Sequence, residues 1–213
     1  MNIGIVANAP KSLLPNFERF KDEIDCWIGV DKGTLHVLEQ DISIDCAIGD
    51  FDSISEKEME MIKSHAQSMK IFPREKDQTD LELAIDEAIL RKPNHIYMFG
   101  VSGGRIDHSL INIQLLYHML QKGISGTIID AFNELTMRNP GTYRIQQDPN
   151  YKYISFVPQT EFIEGLTLEG FAYPLYKHTI QWGQTICISN ELIQDEGTYS
   201  YDRGILLEIK SRD

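Results

Sequence analysis

The sequence predicts an α/β protein with a mostly parallel, Rossmann-like α/β domain at residues 1–135 and a smaller all-β sandwich domain at residues 136–213. In the first part, short apolar runs alternate with helical patterns, and this order favours a parallel sheet that is covered by helices on both faces. After about residue 131, Pro and Gly residues separate short runs that are rich in Tyr, Ile, Phe and Thr, and no convincing helix remains. This change is typical of an all-β domain.

The elements of the first domain follow from apolar periodicity. Six runs fit strands: Ile3–Ala7, Cys26–Val30, Asp45–Ile48, Met69–Phe72, His95–Phe99 and Thr127–Asp130. Ser55 with Glu58, and Thr79 with Glu82, have the spacing of capping boxes and mark two helix starts. An apolar stripe at helical spacing indicates a third helix over residues 106–121.

The second domain contains three clear strand-like runs, Tyr153–Val157, Thr185–Ile188 and Gly204–Ile209. Turn residues bound each run, as expected for a sandwich or barrel. Because this domain is small, we expect it to pack against the first domain or against another copy of the chain.

Composition excludes several classes of protein. The formal net charge of -12 argues against general binding of nucleic acid, which depends on Lys and Arg. Cys26, Cys46 and Cys187 are too far apart for a zinc knuckle or a disulfide framework, and we expect Cys26 and Cys46, which lie in apolar runs, to be core thiols in a reducing compartment. No run approaches the roughly 20 apolar residues of a membrane span, and the N-terminus has no leader pattern. We therefore expect a cytoplasmic protein with no membrane partner.

Three acidic segments directly follow predicted strands, at residues 49–53, 76–80 and 103–108. Ligands of open α/β sheets bind at the edge where strands end, so these segments predict a site there. Gathered carboxylates repel one another unless a cation lies among them. Asp50 and Asp52 can face one ion in a tight turn, and magnesium usually takes one or two carboxylates together with water and phosphate oxygens.

Each acidic residue also has a purely structural explanation. Asp50 and Asp52 can form an Asx-type turn before the helix at Ser55. Asp80 lies at the start of a capped helix, where the macrodipole stabilises a negative charge. Asp77 has a turn explanation of the same kind, so each of these residues taken alone favours the structural role.

The third segment is typical of an anion site. Gly103 and Gly104 would expose backbone N–H groups at a helix N-terminus, and Arg105 can make a bidentate contact with phosphate oxygens. Asp107 and His108 fall in the first turn of the helix. There His108 could orient a ligand or remain a solvated polar residue.

Asp31 also ends a predicted strand, and its neighbours suggest phosphate chemistry. Lys32 could contact phosphate while Gly33 lets the backbone come close. An exposed lysine beside a turn glycine is usually only solvated, so both interpretations stay open.

One segment also fits a different enzyme class. Residues 100–104 read G-x-S-x-G, the nucleophile elbow of serine hydrolases, and Asp130 and His178 follow Ser102 in the expected order. This alternative leaves the acidic clusters unexplained, and Gly-rich turns produce the short pattern by chance.

Taken together, the segments resemble those of the thiamine pyrophosphokinase family. The resemblance depends on residues 31–33, 49–53, 75–80, 103–108 and 188–191, whose order spans nearly the whole chain. It implies transfer of a diphosphate group from ATP to the hydroxyethyl group of thiamine, with release of AMP and a requirement for Mg²⁺. It also implies a homodimer whose active site forms between the α/β domain of one subunit and the β domain of its partner.

The resemblance also implies roles for individual residues. Asp50, Asp52 and Asp80 would hold magnesium and position the phosphates, with Asp31 nearby and Asp77 as a further acidic candidate. The nucleotide side would include Lys32, Gly103, Gly104, Arg105, Asp107 and His108, while Ser189 and Asn190 would help to enclose thiamine. The roles of Lys32 and Lys76 stay open, and Trp182, Tyr199 and Tyr201 are candidates for an aromatic clamp. A third hypothesis is a non-catalytic nucleotide or thiamine sensor.

Overall fold

The computed structural model describes residues 1–213 and divides them into two compact units, Met1–Ala131 and Phe132–Asp213. The division falls slightly before the predicted boundary at residues 135 and 136, because the strand Asn133–Arg138 pairs with a strand at the end of the chain. The first unit is α/β with a parallel sheet and the second is all-β, so the predicted fold class is confirmed.

Six parallel strands form the sheet of the first unit. They are β1 (Asn2–Val6), β2 (Cys26–Val30), β3 (Cys46–Gly49), β4 (Met69–Ile71), β5 (His95–Phe99) and β6 (Ser125–Ile129). Their spatial order is β4-β3-β2-β1-β5-β6, and every neighbouring pair is parallel. All six predicted strands are confirmed, with small differences at their ends.

Four α-helices connect these strands: α1 (Gly33–Leu38), α2 (Glu56–His65), α3 (Asp80–Leu90) and α4 (Ile106–Gln121). Ser55 and Glu58 form the predicted reciprocal capping box at the start of α2. At α3 the Thr79 side chain accepts a hydrogen bond from the Glu82 N–H, which is one of the two bonds of the predicted capping box. None of the helices combines the length and apolar character that a membrane span requires.

The order of the strands creates a crevice beside β1. The chain runs outward from β1 through β2, β3 and β4, and then returns to place β5 on the other side of β1. Loops that leave β1 and β5 therefore diverge, and such a switch point is where open α/β sheets bind ligands. Gly100 lies at φ +66° after β5, and a Cβ there would be 2.2 Å from the Ala7 carbonyl oxygen.

An aromatic cluster holds the segment that follows β1. This segment forms two short 3₁₀ turns, and the second contains Phe17 and Phe20. The Phe17 ring lies 5.6 Å from Trp27 of β2 and 5.3 Å from Phe99 of β5, and the Phe20 ring lies 5.0 Å from Phe99. Such contacts stabilise the fold through buried area and ring geometry, so the wall of the crevice is anchored on the sheet.

The second unit has seven antiparallel strands. They are β7 (Asn133–Arg138), β8 (Gly141–Gln146), β9 (Tyr153–Pro158), β10 (Phe162–Glu169), β11 (Leu175–Gln181), β12 (Glu196–Tyr201) and β13 (Leu206–Ser211). β13 pairs with β7 and β9, while β11, β10, β12 and β8 form the other layer. Buried residues from both layers, including Phe156 and Leu166, share one core, which is the arrangement of a sandwich.

One strand prediction in this unit is wrong. Residues 185–188 form a turn instead of a strand. Cys187 is buried there and its carbonyl accepts a hydrogen bond from the Phe156 N–H at 2.9 Å. A single buried thiol between exposed isoleucines gives the alternation of a half-buried strand without a partner strand. The thiols of all three cysteines are free and buried, which confirms the prediction for Cys26 and Cys46 and adds Cys187.

A carboxylate lies inside the core of this unit. Glu208 is 4% exposed, and its Oε2 accepts a 2.6 Å hydrogen bond from the hydroxyl of Tyr199, which is 0% exposed. Arg138 Nε lies 3.5 Å from the same oxygen. Burial and the nearby charge of Glu208 raise the pKa of Tyr199 far above its usual range, so the phenol remains a donor to the carboxylate.

We predict that Tyr199→Phe lowers the free energy of unfolding by about 1–3 kcal/mol, because the buried carboxylate loses a donor. Urea unfolding followed by circular dichroism would measure the change. Tyr143→Phe is the matched control, since the Tyr143 hydroxyl donates to the Asn139 carbonyl at an exposed site. Equal losses in the two variants would contradict a special role for the buried bond.

Candidate functional site

A cavity of about 510 Å³ opens at the switch point of the first unit. Its wall comes from the loops after β1, β2 and β5 and from the beginnings of α3 and α4. The volume lies within the range of small-molecule and cofactor sites. A second cavity, of about 110 Å³, lies in the all-β unit beside Asp148 and Lys152, and it is too small for a nucleotide.

Asp31 enters this site in an unusual backbone conformation. It follows β2 at φ +47°, and its N–H donates to the Ile48 carbonyl at 2.9 Å. Its Oδ1 accepts a 3.2 Å bond from the Phe51 N–H. A Cβ at position 49 would lie 1.9 Å from that oxygen, so only glycine at the end of β3 leaves room for the carboxylate.

Three carboxylates converge at this point. Asp31, Asp50 and Asp80, here called the carboxylate trio, each offer one oxygen, and these oxygens all lie within 4.8 Å of one another. Burial, chiefly, and then the charges of Asp80 and Asp50 raise the pKa of Asp31 to about 6, although the Phe51 N–H opposes the shift. Oxygen donors so arranged fit a hard divalent cation such as Mg²⁺.

Lys76 supplies the positive charge nearest to Asp80 of the trio. Its Nζ lies 3.1 Å from Asp80 Oδ1, and the two side chains are 15% and 20% exposed. The contact is an ion pair without hydrogen-bonding geometry, because Asp80 Oδ1 is buried and makes no hydrogen bond. The ammonium donates instead to the Pro73 carbonyl at 3.0 Å.

The two other predicted acidic residues lie outside the trio. Asp50 Oδ1 accepts a 3.1 Å bond from the Asp52 N–H, so the Asx-type turn is present together with the cluster. That turn leaves Asp52 half exposed, with Arg74 Nε 3.5 Å from its Oδ2. Asp77 is exposed, and Lys32 is half-buried where α1 begins.

The Gly-rich loop after β5 adopts left-handed conformations, with φ +94° at Gly103 and +70° at Gly104. The Gly103 N–H already donates to Ser109 Oγ at 3.2 Å. Arg105 makes a bidentate pair with Asp107, at 3.1 Å and 2.5 Å, which lowers the pKa of Asp107 to about 2. Both side chains are exposed, so the guanidinium can exchange this carboxylate for phosphate.

The hydrolase hypothesis fails at Ser102. Its hydroxyl donates directly to Asp130 Oδ2 at 2.7 Å, whereas a nucleophilic serine needs a base such as histidine between it and the acid. His178, the proposed base, lies exposed on β11 of the other unit.

Two positioning residues escaped the sequence analysis. Asn112 of α4 is buried, and its Nδ2 donates to the Val101 carbonyl at 2.7 Å, which ties the Gly-rich loop to the helix. His36 of α1 is buried as well, and its Nε2 lies 3.1 Å from Asn8 Oδ1 in the cavity wall. An asparagine in the apolar stripe of α4 was the available signal, while the role of His36 depends on tertiary contacts.

The predicted thiamine residues lie in the second unit. Asn190 is buried and fully engaged: its Oδ1 accepts from the N–H groups of Tyr173 and Glu191, and its Nδ2 donates to the Tyr173 carbonyl. Ser189 beside it is exposed at φ +56°, and its N–H donates to Ser155 Oγ. The hydrogen bonds of Asn190 therefore fix the turn in which the Ser189 side chain is exposed to solvent.

Comparison with known proteins identifies the family. The family model described as "Thiamin pyrophosphokinase, catalytic domain" matches residues 17–128 of this chain. A second family model, "Thiamin pyrophosphokinase, vitamin B1 binding domain", matches residues 142–206. A thiamine pyrophosphokinase from Bacillus subtilis (strain 168) is 49% identical over 211 residues, covering 99% of each chain.

Solved structures agree with this result. The crystal structure of the thiamine pyrophosphokinase from Bacillus subtilis superposes with a TM-score of 0.95 at 48% identity, covering 100% of both chains. The thiamin pyrophosphokinase from Geobacillus thermodenitrificans gives 0.91 at 41% identity, covering 100% of this chain and 98% of that one. Since both family models and a relative of nearly equal length match, the chain belongs to the thiamine pyrophosphokinase family.

Proposed function

We propose that this enzyme transfers a diphosphate group from ATP to the hydroxyethyl group of thiamine and releases thiamine diphosphate and AMP. The observation that carries the proposal is the carboxylate trio at the switch-point cavity of a chain in this family. The Ser102 hydrolase has no support in the family or in the contacts of Ser102. Family membership also favours an enzyme over a non-catalytic sensor.

Asp31, Asp50 and Asp80 would hold Mg²⁺, which when bound would neutralise phosphate charge and help to align the reacting oxygens. The chain provides rigid support for these ligands. Asp31 is fixed by the Phe51 N–H, and Asp50 by its Asx turn. Phosphoryl-type transfer depends mainly on such positioning and on electrostatic stabilisation. We assign Asp52 to an outer position, where its charge is shared with Arg74, and Asp77 to the exposed rim.

The cavity wall beside the trio would bind the nucleotide. Gly104, Arg105 and His108 line it at the beginning of α4, where helix N–H groups favour anions. Arg105 would exchange Asp107 for a phosphate oxygen, since its guanidinium can pair in bidentate fashion with either group. Lys32, close to Asp31 in the chain, would add positive charge without touching the metal.

The second unit would supply the thiamine site, and we propose a homodimer with shared active sites. Tyr199 and Tyr201 are buried in the sandwich core and are excluded as clamps for thiamine. Trp182 is 63% exposed and can stack on the cationic thiazolium. Exposed apolar side chains of the same unit would be covered by the partner: Tyr173, Tyr176, Ile186, Ile188 and Ile193.

The compartment is also a proposal. Three buried free thiols fit the reducing cytoplasm. The net charge of -12 disfavours binding to nucleic acid or to anionic lipid surfaces.

Incubation with thiamine, ATP and Mg²⁺ should yield thiamine diphosphate and AMP in equal amounts, separated by ion-exchange chromatography. Omission of Mg²⁺, or addition of EDTA, should stop both products together. ADP with thiamine monophosphate would refute transfer of a diphosphate group. Binding of both substrates without turnover would favour the sensor.

We predict that Asp50→Asn raises the melting temperature of the metal-free enzyme, because one of three mutually repelling charges is removed. The same variant should lose most of the thermal stabilisation by Mg²⁺, and turnover should fall by about 100-fold, since outer-shell partners alone typically cost about 10–100-fold. Differential scanning fluorimetry with and without Mg²⁺ measures the first two effects. Asp77→Asn is the control and should change none of them; an unaltered Mg²⁺ response in Asp50→Asn would remove the trio from the metal site.

Trp182→Ala should raise the KM for thiamine by about 2–30-fold, the range that corresponds to a cation–π contact, while the KM for ATP stays unchanged. Initial rates at varied thiamine and at varied ATP separate the two constants. Phe162→Ala removes an exposed aromatic side chain of β10, opposite Gln181 and outside the proposed partner surface, and serves as the control. An unchanged KM for thiamine in Trp182→Ala would exclude the indole from the clamp.

A further inference from the structure

We propose that Lys76 is a built-in counter-ion of the carboxylate trio, which holds Asp80 in the free enzyme and turns to a phosphate oxygen when the metal and nucleotide bind. The inference rests on the proposed function, and it assigns a role to a lysine whose role the sequence left open.

The contact of Lys76 with Asp80 is not an ordinary surface ion pair. Exposed pairs contribute little because water screens both charges, but here the side chains are only 15% and 20% exposed. Lys76 lies before α3 begins, so the pair is not one turn of a helix facing the next. The ammonium is directed toward the trio by the segment that leads into this helix.

The geometry of the contact indicates that Lys76 attracts Asp80 by charge but leaves Asp80 Oδ1 without a hydrogen bond. Asp80 Oδ1 is buried and receives no hydrogen bond, although Lys76 Nζ lies 3.1 Å away. A buried carboxylate oxygen normally finds a donor or a metal. The Lys76 ammonium has three donors, and the one hydrogen bond that it makes goes to the Pro73 carbonyl.

Charge explains why a cation is needed before the metal arrives. Without Lys76, three carboxylate oxygens within 4.8 Å would face one another with no positive charge among them. Lys76 Nζ, 3.1 Å from Asp80 Oδ1, therefore balances part of the negative charge of the trio and holds the Asp80 side chain in place.

The same charge opposes a free metal ion. A divalent cation at the trio would lie near the ammonium, and even with the screening of bulk water a unit charge about 4 Å away changes its affinity by about tenfold or more. A metal that arrives with a nucleotide brings phosphate oxygens, which give the displaced ammonium a new partner. Asp80 lies in the cavity wall, so the flexible lysine stem needs only a small movement.

Two opposite changes are expected in Lys76→Met. In the absence of nucleotide, Mg²⁺ titrated into the full-length enzyme should bind about tenfold more tightly or better by calorimetry. Turnover should nevertheless fall by about 100-fold, the typical loss when one group that stabilises transition-state charge is removed, while the KM for thiamine stays constant. A lysine with a merely structural role would weaken the metal site and turnover together.

Two variants complete the test. Lys76→Arg keeps the charge and should retain weak binding of Mg²⁺. Lys70→Met is the matched control, because Lys70 pairs with Glu87 at 2.5 Å and neither residue belongs to the trio or the cavity wall; both activity and metal affinity should stay as in the parent enzyme. Thermal unfolding of each variant establishes that it is folded.

The outcomes distinguish this inference from the proposed function. Mg²⁺ binding to Lys76→Met that is unchanged or weaker overturns the counter-ion role, and so does the absence of measurable binding in both this variant and the parent enzyme. If Lys76→Met binds no more tightly while Asp80→Asn loses Mg²⁺ binding, the metal site stands and the role of Lys76 alone fails. If Asp80→Asn binds Mg²⁺ as the parent enzyme does, the metal site itself fails, and the inference with it.

Discussion

Mutual repulsion among three carboxylates is the constraint that the segments after β2 and β3 and the start of α3 must accommodate. Asp31 and Asp50 follow two different strands and Asp80 begins α3, yet their oxygens lie within 4.8 Å of one another. Backbone features hold them there: a left-handed residue after β2, a glycine without a Cβ at the end of β3, and a capped helix start. Strain and like charges at one point are typical of functional sites, where the surrounding fold offsets their cost.

The parallel sheet makes this convergence possible. Because all six strands of the first unit point the same way, each loop that follows a strand begins at the same edge. The reversal of strand order beside β1 separates two of these loops and opens the cavity. The aromatic cluster of Phe17, Trp27 and Phe99 packs the segment after β1 against β2 and β5 of the sheet.

Periodicity and capping predicted the strands and the three longer helices of the first unit well because their signals are local. The apolar stripe of α4 and the Ser55 capping box give the observed helix limits. Which acidic residues form the trio could not be predicted in this way, because one Asx turn and contacts between distant segments determine it. Asp50 Oδ1 accepts the Asp52 N–H and leaves Asp52 beside Arg74, while Asp31 arrives from another strand. The spacing of residues along the sequence reveals neither the turn at Asp50 nor the approach of Asp31. The engagement of Asn190 and the burial of Tyr199 likewise depend on tertiary contacts.

The G-x-S-x-G segment shows why a short pattern cannot decide chemistry. A strand followed by a Gly-rich turn and a helix produces the pattern in any fold that needs close backbone approach at that point, and here Gly100 meets the Ala7 carbonyl. Ser102 then serves the loop through Asp130, and Asn112 holds the neighbouring carbonyl of Val101. The residues that surround this loop, and not the pattern itself, separate a kinase from a hydrolase.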